Sequence, residues 1–210
     1  KKENKTTGLI GKAAKNLLSY TVVLGTMKKA LRNAVETIHV LDKALTEQAM
    51  VSGMTREQVY GLLSSYQELA MASGATTKEV ATVATEFFRQ GKSSEEALTL
   101  TEAAVKAAKV ASISTSDSVD YLTTAINGFK MSAQDAMDVS DRFAALAASS
   151  ATSYEELAIA LSKTASQANL AGMSMDYTLG LLAKGIETTR EAPETIGTAL
   201  KTVIARMREI

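Results

Sequence analysis

The feature that most constrains this chain is a helix-start signature that keeps returning. A Ser or Thr followed three residues later by Glu, Gln or Asp makes a reciprocal cap: the hydroxyl accepts the N3 amide, and the acidic or amide side chain reaches back to the N-cap amide. The pattern occurs at Thr55 with Gln58, Thr76 with Glu79, Ser93 with Glu96, Ser132 with Asp135 and Ser153 with Glu156. Ser174 with Asp176, and Ser114 or Thr115 with Asp117, open two more helices, and Pro193 suits a first helical position. Gly53, Gly74, Gly91, Gly128 and Gly172 each precede a start, as expected of the left-handed residue that ends a helix.

These stops and starts predict helices over about 12–51, 55–72, 76–90, 93–111, 115–128, 132–149, 153–170, 174–189 and 193–209, with turns near Gly53, Gly74, Gly91, Ser114, Gly128, Ser150, Gly172 and Ala192. The first span is open to a break near Gly25. Apolar residues fall at helical spacing, as in Val80, Val83, Ala84 and Phe87. There is no hairpin signal and no long alternating run, so the fold class is all-α. Val80, Phe87, Leu98, Val119, Leu122, Leu157, Leu161, Leu179, Ile196 and Leu200 are expected to face one core, with the nine Met as filler.

The starts also repeat in pairs. Thr76, Thr115, Ser153 and Ala192 form one evenly stepped series and Ser93, Ser132 and Ser174 another, each with a step of about 40 residues. A two-helix hairpin of about that length lies in the range of helical solenoid repeats. One hairpin cannot bury its apolar stripe alone, whereas stacked hairpins can. The expected architecture is therefore an amphipathic N-terminal helix followed by packed helical hairpins. The chain is divided into an N-terminal segment, residues 1–52, and a helical-hairpin module, residues 53–210.

Composition excludes several chemistries. Cys is absent and His39 is the only histidine, so thiolate catalysis, disulfides and His-rich metal sites have no residues to use. No metal or cofactor is expected, and no small-molecule substrate. His39 reads as a partly buried packing residue rather than a pH switch. Glu95-Glu96 and Glu155-Glu156 are adjacent on a helix and diverge by about 100°, which suits helix-start electrostatics better than a glycosidase pair. Ser149-Ser150 lacks a nucleophile-elbow context and reads as a loop. No catalytic residue is assigned.

Charge is uneven. The chain is neutral overall, but residues 1–43 carry nine Lys or Arg against three acidic residues. That basic start could touch nucleic acid or an acidic partner, although a solvated helix face explains it more simply. Beside the lysines, Leu17, Leu18, Tyr20, Val22, Val23, Leu24 and Met27 make an amphipathic stretch suited to pairing with another copy or to lying on a membrane surface, and pairing is preferred. No signal peptide is visible, and the longest apolar patch falls short of the roughly 20 residues that a membrane span needs.

Two blocks carry a family resemblance. Phe87-Phe88-Arg89-Gln90-Gly91-Lys92-Ser93-Ser94-Glu95-Glu96-Ala97-Leu98 resembles the F-x-R-Q-G-x-S-x-E-E-A block of phage tail tape measure proteins. Leu179 through Arg190, and then Ile196-Gly197-Thr198-Ala199-Leu200-Lys201-Thr202-Val203-Ile204-Ala205-Arg206, is similar to that family's closing blocks. Ala107 through Phe129 and Leu41 through Glu47 also fit, so the likeness runs from about Ala34 to Ile210. It implies a virion component in the tail tube lumen or tail tip, present in host cytoplasm during assembly. Such proteins set tail length and leave the tail on genome ejection. The implied partners are further copies, as a homotrimer or other small homo-oligomer, with tail tube protein, tail assembly chaperones and tail-tip or baseplate proteins. The family's peptidoglycan-cutting activities sit in separate modules, none of which is recognised here.

As one rod the chain would span on the order of 300 Å. The repeated caps argue instead for a compact module attached to a ruler. Two other readings stand beside this one, a helical-repeat binding module of cellular origin and the non-catalytic part of a muralytic tail protein.

Overall fold

Reciprocal caps set the element boundaries. The computed structural model describes residues 35–207 together with Lys28, Lys29 and Arg32. It divides into two compact units, residues 1–43 and 44–210. In the first, residues 35–43 are helical. The second begins with helical residues 44–52 (α1) and continues through α2 (Arg56–Gly61), α3 (Leu63–Ser73), α4 (Thr77–Arg89), α5 (Ser94–Ala111), α6 (Thr115–Phe129), α7 (Ala136–Ser149), α8 (Tyr154–Leu170), α9 (Met175–Thr189) and α10 (Pro193–Met207). No strand occurs among the described residues.

Four of the five expected boxes form with both hydrogen bonds in place, and at Ser132 the amide and the hydroxyl both donate to Asp135 Oδ2 while the Asp135 amide turns to the Ser132 carbonyl. Ser114, not Thr115, caps α6, accepting Asp117 N at 3.0 Å. Gly53, Gly74, Gly91 and Gly172 take φ between 67° and 77°. Three other turns use side-chain-bearing residues at positive φ, namely Ser112, Lys130 and Arg190 at 56°, 55° and 57°.

Three expected helix boundaries need correction. Gly128 does not end its helix: it is buried inside α6, and Lys130 takes the left-handed cap two residues later. The helix expected from Ser132 opens as a 3-10 turn, Ala133–Asp135, before α7. The span 55–72 is divided at Leu62, where the cap amide turns back to Val59 and Tyr60 carbonyls. The part of the first helix before Lys28, including the break near Gly25, lies outside the described residues.

Helices two apart in the chain touch as well as neighbours. α4, α6, α8 and α10 pack in succession, as do α3, α5, α7 and α9, while each consecutive pair also packs. The result is two interleaved layers of helical hairpins, as the pairwise spacing of the starts predicts. Val80, Phe87, Val119, Leu122, Leu157, Leu161 and Leu179 are buried in this core. Leu98, Ile196 and Leu200 are only half-buried, because Leu98 borders an open groove and the other two lie on the last helix. Of the described methionines only Met175 is buried, so Met is not the filler here; Ala and Leu are.

Within the first layer the helices approach until only small residues fit. A Cβ at Gly128 of α6 would lie 2.5 Å from Ala165 Cβ of α8, and one at Gly197 of α10 would lie 3.0 Å from Ala160 Cα of α8. Gly185 of α9 meets Ile196 of α10 in the same way, at 2.8 Å from its Cγ2. Short contacts of this kind let many backbone atoms reach van der Waals distance.

Candidate functional site

The proposed cap carboxylates do what their positions dictate. Glu96 Oε2 accepts Ser93 N at 2.9 Å, and Glu156 Oε2 accepts Ser153 N at 2.7 Å. Cap-amide hydrogen bonds, with the Thr76 and Ser93 hydroxyls contributing, hold the carboxyls of Glu79 and Glu96 below the usual carboxylate range, and the Ser132 hydroxyl, ahead of the Ser132 amide, does the same for Asp135. Glu95 and Glu155 are exposed in the first turns of α5 and α8. One acidic pair begins α5 and the other begins α8.

Ser149 and Ser150 terminate α7, both hydroxyls turning back to the Leu146 carbonyl. His39 is exposed rather than partly buried, which corrects the packing expectation. The described members of the basic start, Lys28, Lys29 and Arg32, are exposed, and the amphipathic stretch from Leu17 to Met27 lies outside the described residues. Among the described residues there is no group of three or more potential metal ligands and no helix long and apolar enough to cross a membrane.

Two shallow grooves run along the second layer. One, about 300 Å³, lies between α3 and α5, with Leu69, Ala72 and Leu98 as floor and Glu68 and Glu102 at the rim. The other, about 320 Å³, lies between α7 and α9 over Ala145, Leu146 and Leu179. There Arg142 binds Asp138 of its own helix at 2.7 Å and Asp176 of α9 at 2.5 Å. Glu102 is likewise paired with Lys106 at 2.6 Å. Of these pairs only Arg142–Asp176 joins two helices, while Glu102–Lys106 and Asp138–Arg142 each lie within one.

Polar groups in the interior serve packing. The buried Tyr66 hydroxyl donates to Gln48 Oε1 at 2.9 Å and accepts from Gln48 Nε2 at 2.7 Å, joining α1 to α3. Burial pushes the Tyr66 phenol up to about 12, opposed by the hydrogen bond from Gln48. Sequence reasoning missed this pair, since neither residue stands out locally. It also missed Gly128, Gly185 and Gly197 as contact residues; a Gly inside a capped helical run was the available signal.

The site is thus a scaffold surface, and the comparison with known families agrees. Residues 67–209 match the family model described as phage-related minor tail protein. The chain belongs to that family. Its coarse role follows: it is a phage tail protein with a structural part in the tail. The match covers most of α3 and all of α4 to α10, the interleaved hairpins, and leaves α1 and α2 outside. No solved structure matches the chain.

Proposed function

We propose that this chain is the compact helical module of a tail tape measure protein, organising the ruler during tail assembly without being the ruler. The closing block from Ile196 to Arg206, which resembles the tape measure family, supports the finer identity, and the family match supports a tail role. One observation carries the module reading: α8 is clasped between Gly128 of α6 and Gly197 of α10. A chain that folds back on itself at every turn does not measure length by its contour.

On this reading the protein is non-enzymatic and leaves the tail on genome ejection. The N-terminal segment, residues 1–52 in the sequence division, mediates self-association, and its basic start is the part suited to an acidic surface or nucleic acid. Tail tube, tail-tip and chaperone proteins are its partners.

The test is removal of one hairpin, Ser132–Gly172, from the full chain, with tails measured by electron microscopy. As extended tape the missing residues would shorten tails by about 60 Å at normal yield, and that result would overturn the proposal. Loss of tails, or tails of unchanged length, supports a compact module; the first outcome also shows that the hairpin is needed for assembly.

A further inference from the structure

Glycines inside the helices of this fold mark places where a second helix comes close. A Cβ at Gly128, Gly185 or Gly197 would lie under 3.0 Å from Ala165, Ile196 or Ala160 of another helix. Gly180, in the middle of α9, has nothing within 4 Å of a built Cβ, and neither has Gly61 at the end of α2. Gly weakens an exposed helix interior relative to Ala, so Gly180 is a cost that no contact inside the chain offsets.

Apolar surface flanks Gly180. Tyr177, one turn before it, is exposed by 61%, and Leu181 beside it by 38%. This is the outer face of the second layer rather than the end of the stack. Asp176, one turn back on the same face, lines the α7–α9 groove and reaches Arg142 of α7, whereas Gly185 turns to α10. Exposed Ala145 and Ser149 of α7 border that groove, with side chains short enough to let a helix settle over Gly180.

Charge identifies the occupant. Asp176 and Lys184 stand four residues before and four after Gly180, both exposed and on its face of the helix. They are about 12 Å apart along their own helix and do not meet within one chain. Where two α9 helices cross antiparallel at Gly180, each residue before the crossing meets the residue equally far after it in the other copy. Asp176 of each copy then faces Lys184 of the other, and Tyr177 lies beside the same Lys184. Asp138 and Asp176 share one guanidinium, so the spot that Lys184 approaches keeps a net negative charge. Lys184 itself is held only by Glu187 of its own helix, at 3.2 Å, and has further N–H donors to give.

We infer that α9 is a two-fold docking surface on which a second copy of this chain seats its own α9, antiparallel and crossing at Gly180. An isologous contact needs a self-complementary patch, and the spacing of Asp176, Gly180 and Lys184 supplies one. The inference adds a contact between copies to the N-terminal one proposed above. It holds or fails independently of that contact and of the tape measure reading.

Sedimentation equilibrium of the full chain tests it, and the parent is expected to self-associate. Gly180→Ala places a methyl at the crossing and is expected to weaken association by at least about tenfold. At dilution the separated Gly180→Ala chain is expected to unfold at a higher urea midpoint, because the methyl meets nothing within it. Lys184→Asp sets carboxylates face to face and is expected to weaken association by at least about tenfold as well. The double variant Asp176→Lys with Lys184→Asp is expected to return it to within about threefold of the parent. A parent that stays monomeric overturns the inference. So does an association that either Gly180→Ala or Lys184→Asp leaves unchanged, which places the contact between copies on another surface, such as the N-terminal segment. A double variant no tighter than Lys184→Asp alone overturns it too, since the two charges then do not meet across the two-fold.

Discussion

Gly197 of α10 lies against the backbone of Ala160 in α8, with the Ala160 carbonyl oxygen where a side chain would begin. Gly197 could not carry a side chain without separating the two helices. Rigid backbone, rather than a flexible side-chain end, fills the space, so the contact cannot relax locally.

The sign of a Gly to Ala substitution should therefore depend on position. In an exposed helix interior Ala is better than Gly by about 1 kcal/mol. Gly180 in α9 has nothing within 4 Å of a built Cβ, so Gly180→Ala should stabilise by about 0.5–1 kcal/mol. Gly197→Ala should instead destabilise by about 1–3 kcal/mol through overpacking. Urea unfolding of both variants checks this, and a stabilised Gly197→Ala would mean that α10 does not sit against α8.

Phe87 is fully buried in α4, at 0% exposure. Phe87→Ala should cost about 3–5 kcal/mol. Leu98→Ala, at the edge of the α3–α5 groove, should cost clearly less, because its side chain is already half in water. Denaturant midpoints at constant slope measure both.

Thr101 and Thr164 are buried with hydroxyls that have no hydrogen-bond partner among the described protein atoms. Replacing a buried unpaired hydroxyl by a methyl of the same shape removes a desolvation cost. Thr101→Val and Thr164→Val should be neutral or stabilising by up to about 1 kcal/mol. A loss of more than about 1 kcal/mol in thermal or chemical unfolding would mean that the hydroxyls are paired.

Acid should weaken the caps. The folded-state carboxyls of Glu79, Glu96 and Asp135 titrate below their unfolded values, so their contribution is complete above the unfolded range, roughly pH 4, and is lost as pH falls through the folded values. Gln58 fills the same role without a titrating group, its Oε1 accepting Thr55 N at 2.8 Å. The combined variant Glu79→Gln, Glu96→Gln and Asp135→Asn should keep the caps and flatten the acid limb of a stability-versus-pH curve. An unchanged limb would place the acid sensitivity elsewhere.

Alkali should act through Tyr66. Its phenol is raised in the folded protein to about 12, so the stabilisation is whole below the unfolded value near 10 and is lost as pH rises through about 12. Burial also raises the Tyr121 and Tyr154 phenols, so tyrosinate absorbance followed during an alkaline titration should show Tyr66 as one late-ionising component among these, ionising together with unfolding. Tyr66→Phe should remove that late component, at a cost of about 1–3 kcal/mol because Gln48 is left buried without its partner.

Much of this architecture is legible in local sequence. Each Ser or Thr cap with its Glu, Gln or Asp acts over three residues, so Thr76 and Glu79 specify a helix start wherever the segment ends up. The even spacing of the caps Thr76, Ser114 and Ser153 reports the hairpin repeat for the same reason. What local sequence could not assign was the use of each helix face. Gly128 and Gly172 look alike as residues, yet one is a contact point under Ala165 and the other a left-handed turn. Leu98, Ile196 and Leu200 follow the apolar period of Phe87 and Leu157 but end half-exposed. Periodicity states which residues share a stripe; only the approach of a second helix decides whether that stripe is buried. The Gln48–Tyr66 pair and the Gly197–Ala160 contact belong to that second kind of information, because a hydrogen bond or a backbone approach between distant segments exists only once packing has brought them together.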